Sequence, residues 1–420
     1  MVIMGLGHAG LPLARRACEA GLSVTGYDIS PPVVRDLNAG VSHIDDVPAA
    51  ALADMRSAGF TATDDDAVLA TADTVVISVP TGLDERGDPD LGPVRDASRA
   101  VAAHLRPGVL VVLESTSHPG TTEETVRPLL EKGSGLRVGT DFHLAFSPER
   151  IDPGNRRFGI RDTPRVIGGC TPLCAKYAVA FFSRFVDAVV VARGTREAEM
   201  AKLVENIHRY VNIALVDELA AYCGHAGIDV WDVLDCAATK PFGYTPFRPG
   251  PGVGGHCIPV DPRYLAARAE QAGHPLHLLA AARDVHTRTP HAVVDRTAAL
   301  LARDHVPVDG ARVVLLGVTY KADVADTRHS PAEPIARELR RRGASVSFHD
   351  PHVTSFAVDG VAVPAVETLA ALSGADVAVL LQGHRCYDPA ALTAAGCRVL
   401  DTRGRLTSPG PAREEPEALP

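Results

Sequence analysis

An α/β fold, two doubly wound domains joined by a long central helix and a helical middle domain, is predicted by three observations. Residues 2–28, "VIMGLGHAGLPLARRACEAGLSVTGYD", read as an apolar strand, a glycine turn, a helix and a second strand ending in Asp28. Far downstream, "VVLLGVTYKADVADTRHSPAEPIARELRRRGASVSFHD" repeats this plan, most closely where "GLSVTGYD" (Gly21 to Asp28) corresponds to "GASVSFHD" (Gly343 to Asp350). Between them, "REAEMAKLVENIHRYVNIALVDELAAYCGHAG" keeps helical spacing from Arg196 to Gly227.

The bulk properties agree. At 420 residues, and with roughly 150 residues per domain as a guide, the chain divides into 1–195, 196–304 and 305–408, followed by a charged, proline-rich tail at 409–420. A net charge of -9 excludes a basic surplus for nucleic acid. No apolar run approaches the ~20 residues of a membrane span, and the N-terminus enters a folded motif at once, so a cytoplasmic protein is expected. The eight cysteines are scattered without a CxxC pair or Cys/His ligand spacing, so neither a disulfide framework nor a metal site is expected.

Taken in chain order, the first informative element is "GLGHAG". Gly5 permits the tight turn, Gly7 lets backbone approach a pyrophosphate, and Gly10 lets the helix pack on the strand with its N-terminus towards the phosphates. Asp28, 18 residues after Gly10, ends the next strand where a ribose-binding acid belongs. A carboxylate there repels a 2'-phosphate, so NAD is expected rather than NADP. The strands "ADTVVISVP" and "GVLVVLEST" follow, and because ligands bind beyond the carboxyl ends of such strands, Ser78–Thr81 (with Pro80 and Thr81) and Glu114–Thr116 fall at a site. On the long helix Lys202, Asn206 and Arg209 share a face, readable either as a solvated stripe or as a site lining. Gly224 and Gly227 are candidate helix stops. The strands "ADVAVLLQ" and "CRVLDTR" complete the second doubly wound half.

"PGVGGHCIPVDP", Pro251 to Pro262, surrounds Cys257 with residues that hardly shield it, as a reactive thiol requires. Beside a nicotinamide cofactor, such a thiol suits oxidation through a thiohemiacetal and a thioester, released by water as a carboxylic acid. That chemistry needs a cation or amide for the oxyanions and carboxylates for protons and water. Lys202 and Asn206 are candidates for the first, Asp261 and Glu149 for the second.

With these residues in view, the sequence resembles the UDP-glucose/GDP-mannose dehydrogenase family, the nucleotide-sugar 6-dehydrogenases. The likeness runs from "GLGHAGLPLA" through "SVPTGLDERGDPDL", "LESTSHPGTTEE", "AFSPERIDPGN", "KLVENIHRYVNIALVDEL" and "KPFGYTPFRPGPGVGGHCIPVDPRYL" to "LLGVTYKADVADTRHSP". The resemblance implies oxidation of the C6 alcohol of a nucleotide sugar to a carboxylate with two NAD and one cysteine, in a homodimer built on the long helix. It implies Cys257 as nucleophile, Lys202 and Asn206 at the C6 oxygen, Asp261 assisting the base or water step, and Glu149 in thioester hydrolysis. Thr116 would lie near the nicotinamide. Gly252, Gly254 and Gly255 would admit the sugar and phosphates, although an ordinary tight turn accounts for at least one of them. Phe242, Tyr244 and Arg248 would line the nucleotide pocket, with Arg150 and Arg209 among the substrate contacts. Lys321 and Arg328 match basic positions that meet the bound nucleotide or cofactor.

Val260 stands where the UDP-glucose branch usually has lysine, and the loop motifs are more similar to the N-acetylated branch, of which UDP-N-acetylglucosamine is the favoured substrate. UDP-N-acetylmannosamine and UDP-glucose are the alternatives. An NAD- or nucleotide-sugar-binding sensor is the alternative of another class. His8, Ala9, His286, Ala322 and His329 depart from the residues usual in the family.

Overall fold

The computed structural model describes residues 1–152, 154, 155, 157–367 and 369–406. The tail expected at 409–420 lies outside the described residues. Two compact units emerge: Met1–Asn206 together with Val260–Pro275, and Ile207–Pro259 together with the chain from Leu276 onward.

The first unit contains β1 (Val2–Met4), α1 (Gly10–Glu19), β2 (Thr25–Tyr27), α2 (Pro31–Ala39), α3 (Ala49–Ser57), β3 (Thr61–Thr63), β4 (Thr74–Ile77) and α4 (Gly92–His104). It continues with β5 (Leu110–Leu113), α5 (Arg127–Ser134), β6 (His143–Phe146), β7 (Arg165–Gly169), α6 (Pro172–Phe182) and β8 (Val189–Val191), and enters α7 (Thr195–Ala226). Its eight strands run in the order β3-β2-β1-β4-β5-β6-β7-β8. Neighbours pair in parallel except β6 and β7, which are antiparallel. β4, β5 and β6 are buried along their whole length because helices cover both faces, which is why β4 and β5 read as apolar runs. The winding reverses direction between β1 and β4, and that reversal opens the crevice in which such sheets bind ligands. Short as it is, β1 pairs on both sides, Val2 facing Thr25 of β2 and Val75 of β4.

Helix α7 is 32 residues long, about 48 Å at the usual rise. It stops at Gly227, whose φ of +70° suits glycine, whereas Gly224 lies inside the helix. The chain continues through α8 (Val230–Ala238), α9 (Asp261–Gln271, part of the first unit) and α10 (His277–Ala302). The second unit then adds β9 (Arg312–Leu316), α11 (Ala332–Arg341), β10 (Ser345–His349), a two-stranded hairpin of β11 (Ala357–Val358) and β12 (Val361–Ala362), β13 (Val377–Leu380), α12 (Pro389–Thr393) and β14 (Arg398–Asp401).

Its parallel sheet has the order β10-β9-β13-β14. Val313 and Leu315 pack on one face with Val294 of α10 and Ile335 and Leu339 of α11. Val314 and Leu316 pack on the other with Leu372, Tyr387 and Leu392. Both faces are therefore apolar, as a strand period of two requires when each side is covered. His286 also finds its reason here: its Nε2 lies 2.8 Å from the Tyr210 carbonyl oxygen and its ring leans on the Tyr210 ring at 4.3 Å, fastening α10 to α7.

The repeat between the two halves has a shared physical cause. In the first, an Asp28 carboxylate oxygen accepts from Leu6 N at 2.9 Å and holds the glycine turn. In the second, Asp350 accepts from Val318 N at 2.8 Å and Thr319 N at 3.2 Å. Each acid closes the turn that follows the first strand of its half. Among the described residues, no helix is long and apolar enough to cross a membrane.

Candidate functional site

In the first unit the glycine turn behaves as its pattern predicts. Gly5 has φ +89°, and a Cβ on it would come 2.5 Å from the Ser78 carbonyl oxygen, while one on Gly10 would come 1.9 Å from the Gly5 carbonyl oxygen. Both are required by the chain's own packing. A Cβ on Gly7 would meet nothing within 4 Å, so that position leaves the backbone open to an approaching pyrophosphate. With the α1 N-terminus and Asp28, these residues fit a dinucleotide. At the next strand ends, Ser115 Oγ donates to the Val79 carbonyl oxygen at 2.7 Å and ties the exit of β5 to that of β4. Pro80 is exposed, Thr81 buried and Thr116 half-buried.

Beyond these strand ends four side chains converge. Lys202 and Asn206, one turn apart on α7, are 5 % and 6 % exposed, and Asp261, the first residue of α9, is 3 % exposed. Lys202 Nζ lies 3.8 Å from Glu149 Oε2, and Asn206 Nδ2 donates to Asp261 Oδ2 at 2.5 Å. Burial pushes the Glu149 carboxyl up to about 7 against the pull of Lys202, and Glu114 and Asp261 raise it further while Arg165 lowers it. Burial likewise pushes Asp261 up to about 6, opposed by Lys202 and by the Asn206 hydrogen bond. Among the described residues, Glu149 Oε1 is buried without a hydrogen-bond partner. The cluster therefore holds a fixed cation, an amide donor, and two carboxyl groups able to give or take protons near neutrality.

The sequence places Glu114 at a strand end beside the site but gives no sign of the other groups that hold this arrangement. Glu114, just after β5, and Arg165, the first residue of β7, form a buried ion pair. Glu199, fully buried on α7, accepts from Gly120 N at 2.6 Å, Thr122 N at 2.8 Å and Thr122 Oγ1 at 2.6 Å, anchoring the turn that follows Thr116. The Tyr264 hydroxyl lies 2.9 Å from the Gly82 carbonyl oxygen and 3.0 Å from that of Asp90, seating α9 against the loop after Thr81. The available signal was a charge or hydroxyl set alone in an apolar run, as in "LVVLEST" and "TPRVIGG".

The other residues expected to meet the substrate are placed as follows. Arg209 is exposed, so the stripe of three divides into a buried pair and a solvated end. Arg150 is engaged within the protein, paired with Glu205 at 2.7 Å and donating to the Pro164 carbonyl oxygen at 2.5 Å. In the second unit Arg248 pairs with Asp235, Phe242 is exposed with Lys240 Nζ 5.3 Å from its ring centroid, and Tyr244 is half-buried.

The loop from Gly250 to Pro259 is fixed by the second unit's own groups. Gly250 N donates to Asp217 at 2.9 Å, and Gly255 N donates to the Arg328 carbonyl oxygen at 2.9 Å. Side chains on Gly254 or Gly255 would come within 2.7 Å of Tyr320, and one on Gly252 within 3.3 Å of Pro331, so these glycines answer first to internal packing. Cys257 is exposed. Arg328 is held above the usual guanidinium range chiefly by its hydrogen bonds to Asp326, with a contribution from Cys257, so a cation stands within electrostatic reach of the thiol. Lys321 is half-buried, and its carbonyl oxygen accepts from Thr319 Oγ1 at 3.1 Å.

Comparison with known proteins gives matches over most of the chain. Three domain models of the UDP-glucose/GDP-mannose dehydrogenase family match: the NAD binding domain at residues 1–186, the central domain at 196–288 and the UDP binding domain at 314–408. The chain is 37% identical over 358 residues to UDP-N-acetyl-D-glucosamine 6-dehydrogenase of Pseudomonas aeruginosa, covering 84% of this chain and 83% of that protein. It is 34% identical over 417 residues to UDP-N-acetyl-D-mannosamine dehydrogenase of Salmonella typhi, covering 96% and 98%. Among solved structures, a UDP-D-ManNAc dehydrogenase from Pyrococcus horikoshii superposes with a TM-score of 0.89 at 33% identity, covering 98% of this chain and 97% of that one.

The different constraints on the glycines make a prediction. Gly7→Ala is expected to leave the thermal midpoint unchanged while weakening NAD binding at least about tenfold, whereas Gly10→Ala lowers the midpoint itself. Thermal melts with and without NAD, together with calorimetric titration of NAD, check both.

Proposed function

The chain belongs to the UDP-glucose/GDP-mannose dehydrogenase family, and from that premise we propose that it oxidises the C6 alcohol of UDP-N-acetylglucosamine to the uronic acid through a covalent intermediate on Cys257. It is an NAD-dependent nucleotide-sugar dehydrogenase. The observation that carries the mechanistic reading is the buried set of Lys202, Asn206 and Asp261 with the half-buried Glu149 beside Lys202, and Cys257 four residues ahead of Asp261 in the chain.

Gly5, Gly7, Gly10 and Asp28 would hold NAD, which would supply the hydride acceptor for C6 in each of two oxidations. The protein's groups account for the rest. In the first oxidation the Asp261 carboxylate takes the hydroxyl proton as C6 becomes an aldehyde, with Lys202 and Asn206 donating to the developing oxygen. The Cys257 thiolate then adds to the aldehyde carbon, forming a C–S bond and a thiohemiacetal whose oxygen meets the same donors. Loss of a second hydride and of the hydroxyl proton gives a thioester. Glu149 removes a proton from water as the water attacks the thioester carbonyl, and the C–S bond breaks to return the Cys257 thiolate and release the carboxylate. Alcohol, two NAD+ and one water thus become carboxylate, two NADH and three protons. Both carboxyl groups lie near neutrality, which suits bases that must exchange protons in every turnover.

Support for the sugar comes from the loop motifs, from the similarity to a UDP-N-acetyl-D-glucosamine 6-dehydrogenase, and from Val260, which is 2 % exposed and brings no cation to the site. UDP-N-acetylmannosamine is the second reading, favoured by the similarity to dehydrogenases of that sugar. A homodimer is supported by α7, where Leu215, Leu219 and Tyr222 are 51%, 44% and 63% exposed and share one face at i, i+4 and i+7.

Titrating UDP-N-acetylglucosamine against excess NAD is expected to yield two NADH per sugar, and Cys257→Ser is expected to form no uronic acid while still binding NAD and sugar nucleotide. One NADH per sugar, or undiminished acid from the serine variant, contradicts the covalent route. Light scattering is expected to report a dimer at micromolar concentration and a monomer for Leu219→Glu; a monomeric wild type contradicts the helix pairing.

A further inference from the structure

The mechanism leaves one buried charged pair unused, at the root of the turn that carries Glu149. Arg165 opens β7 and is 4 % exposed, and Glu114 directly follows β5 and is 1 % exposed. The guanidinium pairs with Glu114, donates from Nε to Ser147 Oγ at 2.8 Å and from Nη2 to the Ser147 carbonyl oxygen at 3.2 Å, and lies 4.6 Å above the Phe182 ring. Ser147 Oγ in turn donates to the Val166 carbonyl oxygen at 2.8 Å. Ser147 is the first residue after β6, and Glu149 follows two residues later. Two desolvated charges are a costly way to fill a core, and replacing such a pair by apolar side chains is often neutral or stabilising. Moreover, Glu114 Oε2 is buried without a hydrogen-bond partner among the described residues, so the pair is not built for stability alone.

We propose that Arg165 and Glu114 are positioning residues for Glu149: Arg165 clamps the Ser147 turn so that the Glu149 carboxylate is held for its step, and the pair sets the charge that carboxylate feels. The inference rests on the assignment of Glu149 to thioester hydrolysis. The groups that face Glu149 come from four elements: Lys202 on α7, Asp261 at the start of α9, Glu114 at the end of β5 and Arg165 on β7. Lys202 and Arg165 favour its ionised form, and Glu114 and Asp261 disfavour it. The two members of the pair therefore act in opposite directions, which separates this role from simple support of the fold.

The test is the pH dependence of uronic acid release by the full-length enzyme with saturating NAD and UDP-sugar, measured by rapid quench so that acid release is separated from the first NADH. A base must be ionised to act, so the rate climbs with pH through its pKa. Glu114→Gln leaves Arg165 unbalanced and is expected to move the midpoint of that climb down by at least about 0.5 pH, and Arg165→Gln is expected to move it up by a similar amount. The double variant is expected to return near the wild-type midpoint. Arg165→Lys keeps the charge but loses the fork to Ser147, so it is expected to hold the midpoint while acid release slows at least about tenfold and the first NADH is retained. It also serves if Arg165→Gln does not fold. Unmoved midpoints in the single charge variants, with only lower melting temperatures, overturn the inference. Glu149→Gln distinguishes the two levels. If it releases acid at the wild-type rate, the role of Glu149 itself is wrong; if it does not, while Glu114 and Arg165 variants keep the wild-type midpoint, only the positioning role is wrong.

Discussion

Everything in the first unit's site follows from one desolvated ammonium. Lys202 sits on α7 at 5 % exposure with Glu149 3.8 Å away, and its charge also bears on Asp261. An isolated buried cation is prohibitively costly, so a carboxylate must accompany it. Burial also penalises the carboxylates, and the result is a compromise in which neither acid is held far below neutrality. The same compromise that lets the lysine stay buried leaves two carboxyl groups close to neutrality, as the proposed oxidation requires of its proton carriers. In the proposed mechanism, oxyanion donor and proton acceptor are thus consequences of one electrostatic constraint.

Holding three segments to that constraint requires a stiff surround. Tyr264 fixes the start of α9, Glu199 fixes the turn after β5, and Arg165 fixes the turn after β6. Each places a buried polar side chain on backbone groups at a strand exit, where an open-ended sheet leaves carbonyl and amide groups without ladder partners. The reversal of winding between β1 and β4 puts the glycine turn on the same sheet, so NAD recognition and the proton-handling cluster are served by strands that share hydrogen bonds.

Much of this was legible in the sequence, for identifiable reasons. Gly5 and Gly10 were readable because their role is local, a turn that no side chain can enter, whereas the sequence suggested a ribose partner for Asp28 and gave no sign that its carboxylate also accepts from Leu6 N and Ser30 N. Lys202 and Asn206 were readable as one helix face, but spacing alone could not show that Arg209, on that same face, is exposed. Burial of a helix face depends on what packs against it, and here that is α9 and the Glu149 turn, both distant in sequence. Arg150 illustrates the same limit, since its partner Glu205 lies on α7. β3 and β8 were not read because three-residue strands with exposed side chains carry little periodic signal, and β6 was hidden because its buried run includes His143. The glycines around Cys257 suggested room for a substrate; their nearest neighbours are Tyr320 and Pro331, supplied by a segment over sixty residues away. Glu114 was read at a strand end, but its partner Arg165 went unnoticed because a charged pair formed between two strand ends leaves no spacing pattern.

The central claim is that the reaction passes through an acyl group on Cys257 which Glu149 helps water to remove. The most direct measurement is mass spectrometry of the Cys257 peptide after Glu149→Gln enzyme is mixed with NAD and UDP-N-acetylglucosamine and quenched in acid. The account predicts a mass increment on Cys257 equal to the uronyl nucleotide acyl group, removed by hydroxylamine. An unmodified Cys257 in a reaction that has nevertheless produced two NADH per sugar would contradict it.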